Sequence, residues 1–273
     1  MLAVSLNAAA GRGAILLGVL VCAFGIVVTV AGIRQGNTRV LRSTARYSYV
    51  AFAAALIAFV VMERALITRD FSLAYVQQVG SRSTPGLYNV TALWSALEGS
   101  ILMWILILTG FTVAVAVKFR KRRDDVLLAW AMVVMLVVAL FFFLLAFGPA
   151  DPFALGPSGV TDGPGPNPLL QNHILVVFHP PILYLGYVGF TVPFAFAIAA
   201  LITGRVGEGW LLETRRWTLY SWGFLTLGIV LGGWWSYEVL GWSGVWAWDP
   251  VENASFLPWL TGTAFLHSVI VQE

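Results

Sequence analysis

The chain has 273 residues, 59% of them hydrophobic and only 11% charged, with a formal net charge of +3. This composition excludes a soluble domain and predicts an all-α, polytopic membrane protein forming a single transmembrane domain over residues 1–273. The small positive balance sits in short loops where membrane topology accounts for it, so it gives no ground for a nucleic-acid partner and leaves the lipid bilayer as the chain's surroundings.

Windows of about 20 apolar residues, enough to cross a hydrocarbon core of about 30 Å, predict about seven transmembrane helices. They lie near residues 14–33, 47–63, 98–117, 126–147, 182–203, 217–233 and 253–271. The first residues, MLAVSLNAAAGRGAILL, carry no charged region ahead of the apolar run, so the first helix is expected to remain as an anchor rather than be cleaved. Tyr47, Tyr49, Trp217 and Trp222 flank the two shortest candidates and suit interfacial anchors. Glu98 opens the third helix, where the positive end of the helix dipole favours a carboxylate.

Twelve of the sixteen basic residues follow the first, third and fifth helices: Arg34, Arg39, Arg42, Arg46, Lys118, Arg120, Lys121, Arg122, Arg123, Arg205, Arg215 and Arg216. By the positive-inside rule these loops are cytoplasmic. The N-terminus, the loops 64–97 and 148–181 and a tryptophan-rich run at 234–253 are then expected outside. Cys22 is the only cysteine and lies mid-helix, so the chain forms no internal disulfide and has no C-x-x-C-H run for carrying haem covalently on itself.

Between Gly148 and Pro168 eleven of twenty-one residues are Gly or Pro, which predicts an external, turn-rich loop that is for most of its length a linker. Beyond it, NHILVVFHPPILYLGYVGF leads into the fifth helix through Pro180 and Pro181, residues tolerated in a helix's first turn. Proline keeps its predecessor out of the helical region, so His179 is expected in extended backbone at the helix mouth. His173 lies in a less constrained stretch and reads as a loop residue. Gly228 and Gly232, four apart, mark close helix packing.

Six of the twelve tryptophans fall between Trp234 and Trp259, in WWSYEVLGWSGVWAWDPVENASFLPW. Trp242, Trp246 and Trp248, with Gly241 and Gly244 between them, suit either an interfacial aromatic belt or a platform for a flat apolar ligand. Asp249, Pro250 and Glu252 fit the N-cap, first and third positions of the last helix as a capping box, an account of Asp249 that stands beside a role at a ligand site. His267 falls about 14 residues, or roughly 21 Å, down that helix and past the bilayer midplane. An ionisable residue at that depth is either a neutral imidazole bonded to a neighbouring helix or a ligand for a metal or haem iron.

These motifs carry a family resemblance. WSGVWAWDPVENASF resembles the tryptophan-rich WWD motif of membrane proteins that handle haem in cytochrome c maturation. With NPLLQN, FHPPILYLGYVG, ALEGSILMW and AFLHS, nearly the whole chain resembles the N-terminal part of the CcmF family, the cytochrome c haem lyase subunits. The resemblance implies a multi-pass protein of the bacterial inner membrane that forms thioethers between haem and apocytochrome c as part of a complex. It implies a haem chaperone, apocytochrome c and its thiol-handling subunits as partners. His179 would be one of two external histidines on the iron of the incoming substrate haem, faced by the Trp-rich run, and His267 one of two axial ligands of an intramembrane b-type haem. The second histidine of each pair is expected beyond Glu273. Two other functions stand against this reading: a haem translocation or binding module that forms no thioether, and an ion-coupled transporter subunit, which would need ionisable groups along several helices.

Overall fold

The computed structural model describes residues 5–170, 173–207, 209–241 and 244–271. Helices α1 (Leu6–Arg34) and α2 (Thr38–Ile67) form an antiparallel pair. Two short helices, α3 (Ala74–Val79) and α4 (Gly86–Thr91), and a 3-10 turn at Ala92–Trp94 cross to α5 (Leu97–Lys118) and α6 (Val126–Phe147). A long segment then reaches α7 (Leu175–Gly189), which continues through Phe190 into α8 (Thr191–Thr203), and α9 (Gly209–Val239) and α10 (Pro250–Val271) complete the order. Among the described residues, five helical stretches are long and apolar enough to cross a membrane: α1, α2, α5, α6 and the continuous α7 and α8. The last two predicted helices correspond to α9 and α10, which are 31 and 22 residues long and are not among those five. The all-α, polytopic class therefore holds.

Packing follows from small residues. Along α1 four of the five glycines recur every seven residues, at 11, 18, 25 and 32, which keeps them on one face. Side chains there would run into the rings of Phe153, Phe143 and Tyr47 and into Val40. Close approach of this kind drives helix association where the bilayer offers no hydrophobic gain. The same device joins α7 to α9: a methyl on Gly228 would fall 2.8 Å from the Leu183 Cα, as the spacing of Gly228 and Gly232 predicts.

Ion pairs sort the loops into two ends. At one, Arg42 meets Asp124 at 3.0 Å, Arg205 meets Asp125 at 2.8 Å and Arg122 bridges Asp125 and Glu213, so the basic loops lie together. Partial burial pushes the Asp125 carboxyl up, but hydrogen bonds from Arg122 and the Leu127 amide, with the charges of Arg122 and Arg205, outweigh it and leave it below the usual carboxylate range. At the opposite end Arg12 meets Asp151 at 2.6 Å and Asp162 accepts from the Arg82 amide at 2.8 Å.

Two expectations are corrected at that second end. The Gly/Pro-rich segment is no passive linker. It pairs with residues 72–80 through the Leu73 and Leu155 bridge, Ala74 N to Ala154 O at 2.8 Å and Gly156 N to Ser72 O at 2.9 Å, and it buries Phe153 completely. Glycine at 163 permits this docking, since a side chain there would fall 2.5 Å from the carbonyls of Gln77 and Gly80.

The second correction concerns His179, which lies inside α7, because the helix starts at Leu175 and carries Pro180 and Pro181 within it. The loop thus ends near 174 rather than 181. A proline at 180 deprives the Val176 carbonyl of its helical donor. The Trp94 indole replaces that donor, with Nε1 at 2.8 Å from Val176 O. Trp94→Phe is expected to orphan this carbonyl and cost about 1–3 kcal/mol. A thermal melt of the purified protein measures it, and an unchanged midpoint would show that the indole bond contributes nothing.

Candidate functional site

At the end away from the basic loops, α7, α9 and the start of α10 enclose a cavity of about 220 Å³ whose lining includes His179, Gly232, Trp235, Trp246, Asp249 and Glu252. α9 brings Trp235 there by running past 233, where the sequence pattern ended it, to Val239. Neither Gly nor Pro interrupts WWSYEV, and the first breaker is Gly241, which takes a left-handed φ of 66°. Trp234 and Trp235 are therefore helical, and the Trp-rich segment between α9 and α10 shortens to 240–249. Trp235 follows Gly228 by seven residues and Gly232 by three, so it shares their face toward α7. That spacing could have identified Trp235 from sequence once the helix was extended.

The histidine tautomers follow from their partners. His179 Nδ1 lies 2.9 Å from the Gly228 carbonyl, which accepts only, so Nδ1 carries the proton. Nε2 is then the lone-pair nitrogen, and it has no hydrogen bond among the described residues. This is the arrangement of a metal-ligating imidazole whose other nitrogen is fixed by a carbonyl. The ring lies 5.6 Å from the Trp235 ring. His173 has the opposite tautomer: the Leu175 amide donates to its Nδ1 at 3.2 Å, so Nε2 donates to Glu238 at 2.7 Å and both nitrogens are engaged.

The tryptophans divide by role. Trp235 and Trp246 both line the cavity, and each has a buried indole N–H without a partner among the described residues. Buried donors are normally satisfied, so these two call for an acceptor. Trp248 stands outside the lining, 64% exposed, with a left-handed φ of 59° and its ring edge-on to Trp246 at 5.8 Å. Such a backbone conformation is uncommon for a bulky residue and marks a strained turn. Trp242 lies outside the described residues. Trp222 and Trp259 fasten α9 to α10 by donating to Thr263 and Thr226 at 2.8 and 2.7 Å, their rings stacked at 6.3 Å.

Asp249 and Glu252 form the expected reciprocal cap: Glu252 N donates to Asp249 Oδ1 at 2.7 Å and Asp249 N to Glu252 Oε2 at 3.3 Å. Asp249 also lines the cavity, so it starts α10 and borders the pocket at once.

His267 does not share this cavity. It is exposed on α10, with Nδ1 2.8 Å from the Thr263 carbonyl, so its tautomer matches that of His179 and Nε2 is the lone-pair nitrogen. Among the described residues no three His, Cys, Asp or Glu side chains converge as metal ligands. Each position therefore offers iron one imidazole.

Residues 94–273 match the family described as Cytochrome C assembly protein. The chain is 44% identical over 262 residues to the cytochrome c-type biogenesis protein CcmF of Escherichia coli (strain K12), covering 94% of this chain and 40% of the relative. It is 48% identical over 234 residues to the CcmF of Pseudomonas fluorescens, covering 85% of this chain and 35% of that one. A solved structure named Cytochrome c Heme Lyase CcmF superposes with a TM-score of 0.86 at 43% identity, covering 98% of this chain and 42% of the other. The chain thus spans about two fifths of the length of these relatives. On the extent of the match and the shared helical framework, the chain belongs to the cytochrome c assembly protein family and is of the CcmF type.

Proposed function

We propose that the cavity around His179 receives haem as the substrate of cytochrome c maturation, and that the chain takes part in attaching it covalently to apocytochrome c. The observation that carries this reading is the imidazole of His179, with Nδ1–H committed to Gly228 and Nε2 open, beside the indole of Trp235 in a cavity that Trp246 also lines. Nε2 ligates the substrate's iron. The two unpartnered indole N–H groups supply donors for a carboxylate on the same ligand. At about 220 Å³ the cavity is smaller than the roughly 300–1,000 Å³ of sites that enclose a small molecule. It grips part of a porphyrin and leaves the rest exposed, which suits a site where a second protein must reach the vinyl groups.

The chain's contribution is orientation. Fixing iron through His179 places the vinyl groups where the two thiols of a C-x-x-C-H segment add across them, each thiol's sulfur bonding to carbon and its hydrogen passing to the same vinyl. The positive-inside rule puts this cavity on the outer, periplasmic side of the bacterial inner membrane. A haem chaperone, apocytochrome c and thiol-handling subunits are the partners the site calls for. A resident b-type haem would be held by His267, whose Nε2 has no hydrogen bond among the described residues. When bound, that haem supplies electrons that keep the substrate iron reduced.

The test separates ligation from transport. When haem is already delivered to the outer side, covalent cytochrome c formation is expected to remain dependent on this protein. Dispensability under those conditions would identify a translocator instead, and a dependence on the ion gradient alone would identify a coupled transporter.

A further inference from the structure

A second and larger recess lies at the other end of the molecule. Between α5, α7 and α9 a groove of about 640 Å³ is walled by apolar side chains including Leu106 and Ala114 of α5 and Leu185 of α7. One end of it is closed by Lys118, Arg216 and Trp217, with Lys118 Nζ 5.7 Å over the Trp217 ring. We infer that this groove binds one anionic phospholipid of the leaflet next to the basic loops.

Three observations on the page meet there. The first is charge: neither Lys118 nor Arg216 forms an ion pair among the described residues, whereas Arg42, Arg122 and Arg205 at the same end each meet a carboxylate. Other cations at this end also have no ion pair among the described residues; what positive-inside topology leaves unexplained is that these two line an apolar groove. The second is length. Twelve residues separate Lys118 from Leu106, about 18 Å along a helix, which matches the roughly 15 Å of one leaflet's hydrocarbon. The third is the ring pair at the charged end, Trp217 and Tyr220, which also line the groove and suit the headgroup level. Apolar walls one leaflet long with two cations at the polar boundary describe an acyl chain below a phosphate. This inference does not depend on the haem reading, because the groove shares no lining residue with the His179 cavity.

The test uses the purified protein, stripped of lipid in detergent and then supplied with phosphatidylglycerol, phosphatidylcholine or inorganic phosphate. Lipid retention is read by native mass spectrometry and stabilisation by thermal melt. Phosphatidylglycerol alone is expected to be retained and to raise the melting point. The Lys118→Gln/Arg216→Gln double variant is expected to lose about thirty-fold in affinity, on the scale of one favourable contact per basic residue near a membrane surface. Ala114→Leu, which keeps both cations and fills the groove, is expected to lose retention while still melting cooperatively. Wild-type retention in either variant, equal binding of phosphatidylcholine, or an equal shift with phosphate alone would overturn the assignment.

Discussion

Replacing His179 by alanine is expected to abolish covalent cytochrome c formation, lowering it by about a hundredfold or more, since even partners of a metal ligand are worth 10–100-fold. The fold should survive. The ring's hydrogen bond goes to Gly228 O, a carbonyl inside α9 that has a second lone pair for its helical donor, so losing the imidazole orphans no buried backbone group. A milder variant checks that position, and not only presence, matters. A methyl introduced by Gly232→Ala would fall 2.7 Å from His179 Cε1 and 3.3 Å from Nδ1, so the ring must shift. Activity in that variant is expected to fall between wild type and His179→Ala. Both proteins are measured for haem-stained cytochrome c and for their melting points. Full activity in His179→Ala with an intact melt would remove the imidazole from the mechanism.

His267→Ala in the protein of full family length is expected to eliminate the intrinsic b-type absorption, read as a reduced-minus-oxidised spectrum and a pyridine haemochrome. The chain offers iron a single imidazole on α10, so nothing nearby on that helix substitutes for it. His173→Ala serves as the control. Both of its ring nitrogens are already engaged, by Leu175 N and Glu238, and its loss should leave the spectrum unchanged. Added imidazole that restores the absorption of His267→Ala would separate lost ligation from a lost fold. A reduced spectrum identical to that of wild type would exclude His267 as a ligand.

Much of the helical layout was legible because apolar windows and helices coincide where few other forces compete. The candidate at 126–147 is α6 with the same bounds, and that at 98–117 is within a residue of α5 at each end. The capping box at Asp249 was equally readable, since its geometry is local to four residues. What escaped was set by partners distant in sequence. Pro180 and Pro181 looked like a helix start because a proline inside a helix normally leaves a carbonyl unpaired, and the donor that removes the penalty, Trp94, lies 82 positions away. Docking of the Gly/Pro-rich segment onto residues 72–80 likewise leaves no local trace.

The site was half legible. His179 and Trp246 line one cavity, as the proposed ligand-binding surface required, but Trp248 turns outward and Trp235 was passed over because its helix was ended too early. The tautomers of His179 and His267 were beyond sequence altogether. Each depends on which carbonyl the ring meets, and only three-dimensional packing decides that.

The Trp94 bond to Val176 has a mechanical corollary. It ties the first turn of α7 to the crossing segment ahead of α5, while glycine contacts clamp the remainder of α7 against α9. The imidazole therefore stands on a jaw anchored from two directions. Across the cavity, the described residues of the α9-to-α10 connection are held by the cap of α10, by Ala247 N donating to Glu252, by Asn253 donating to the Trp248 carbonyl and by Ser236 donating to the Gly244 carbonyl. On the proposed reading, the histidine is thus the fixed reference point against which the ligand is set.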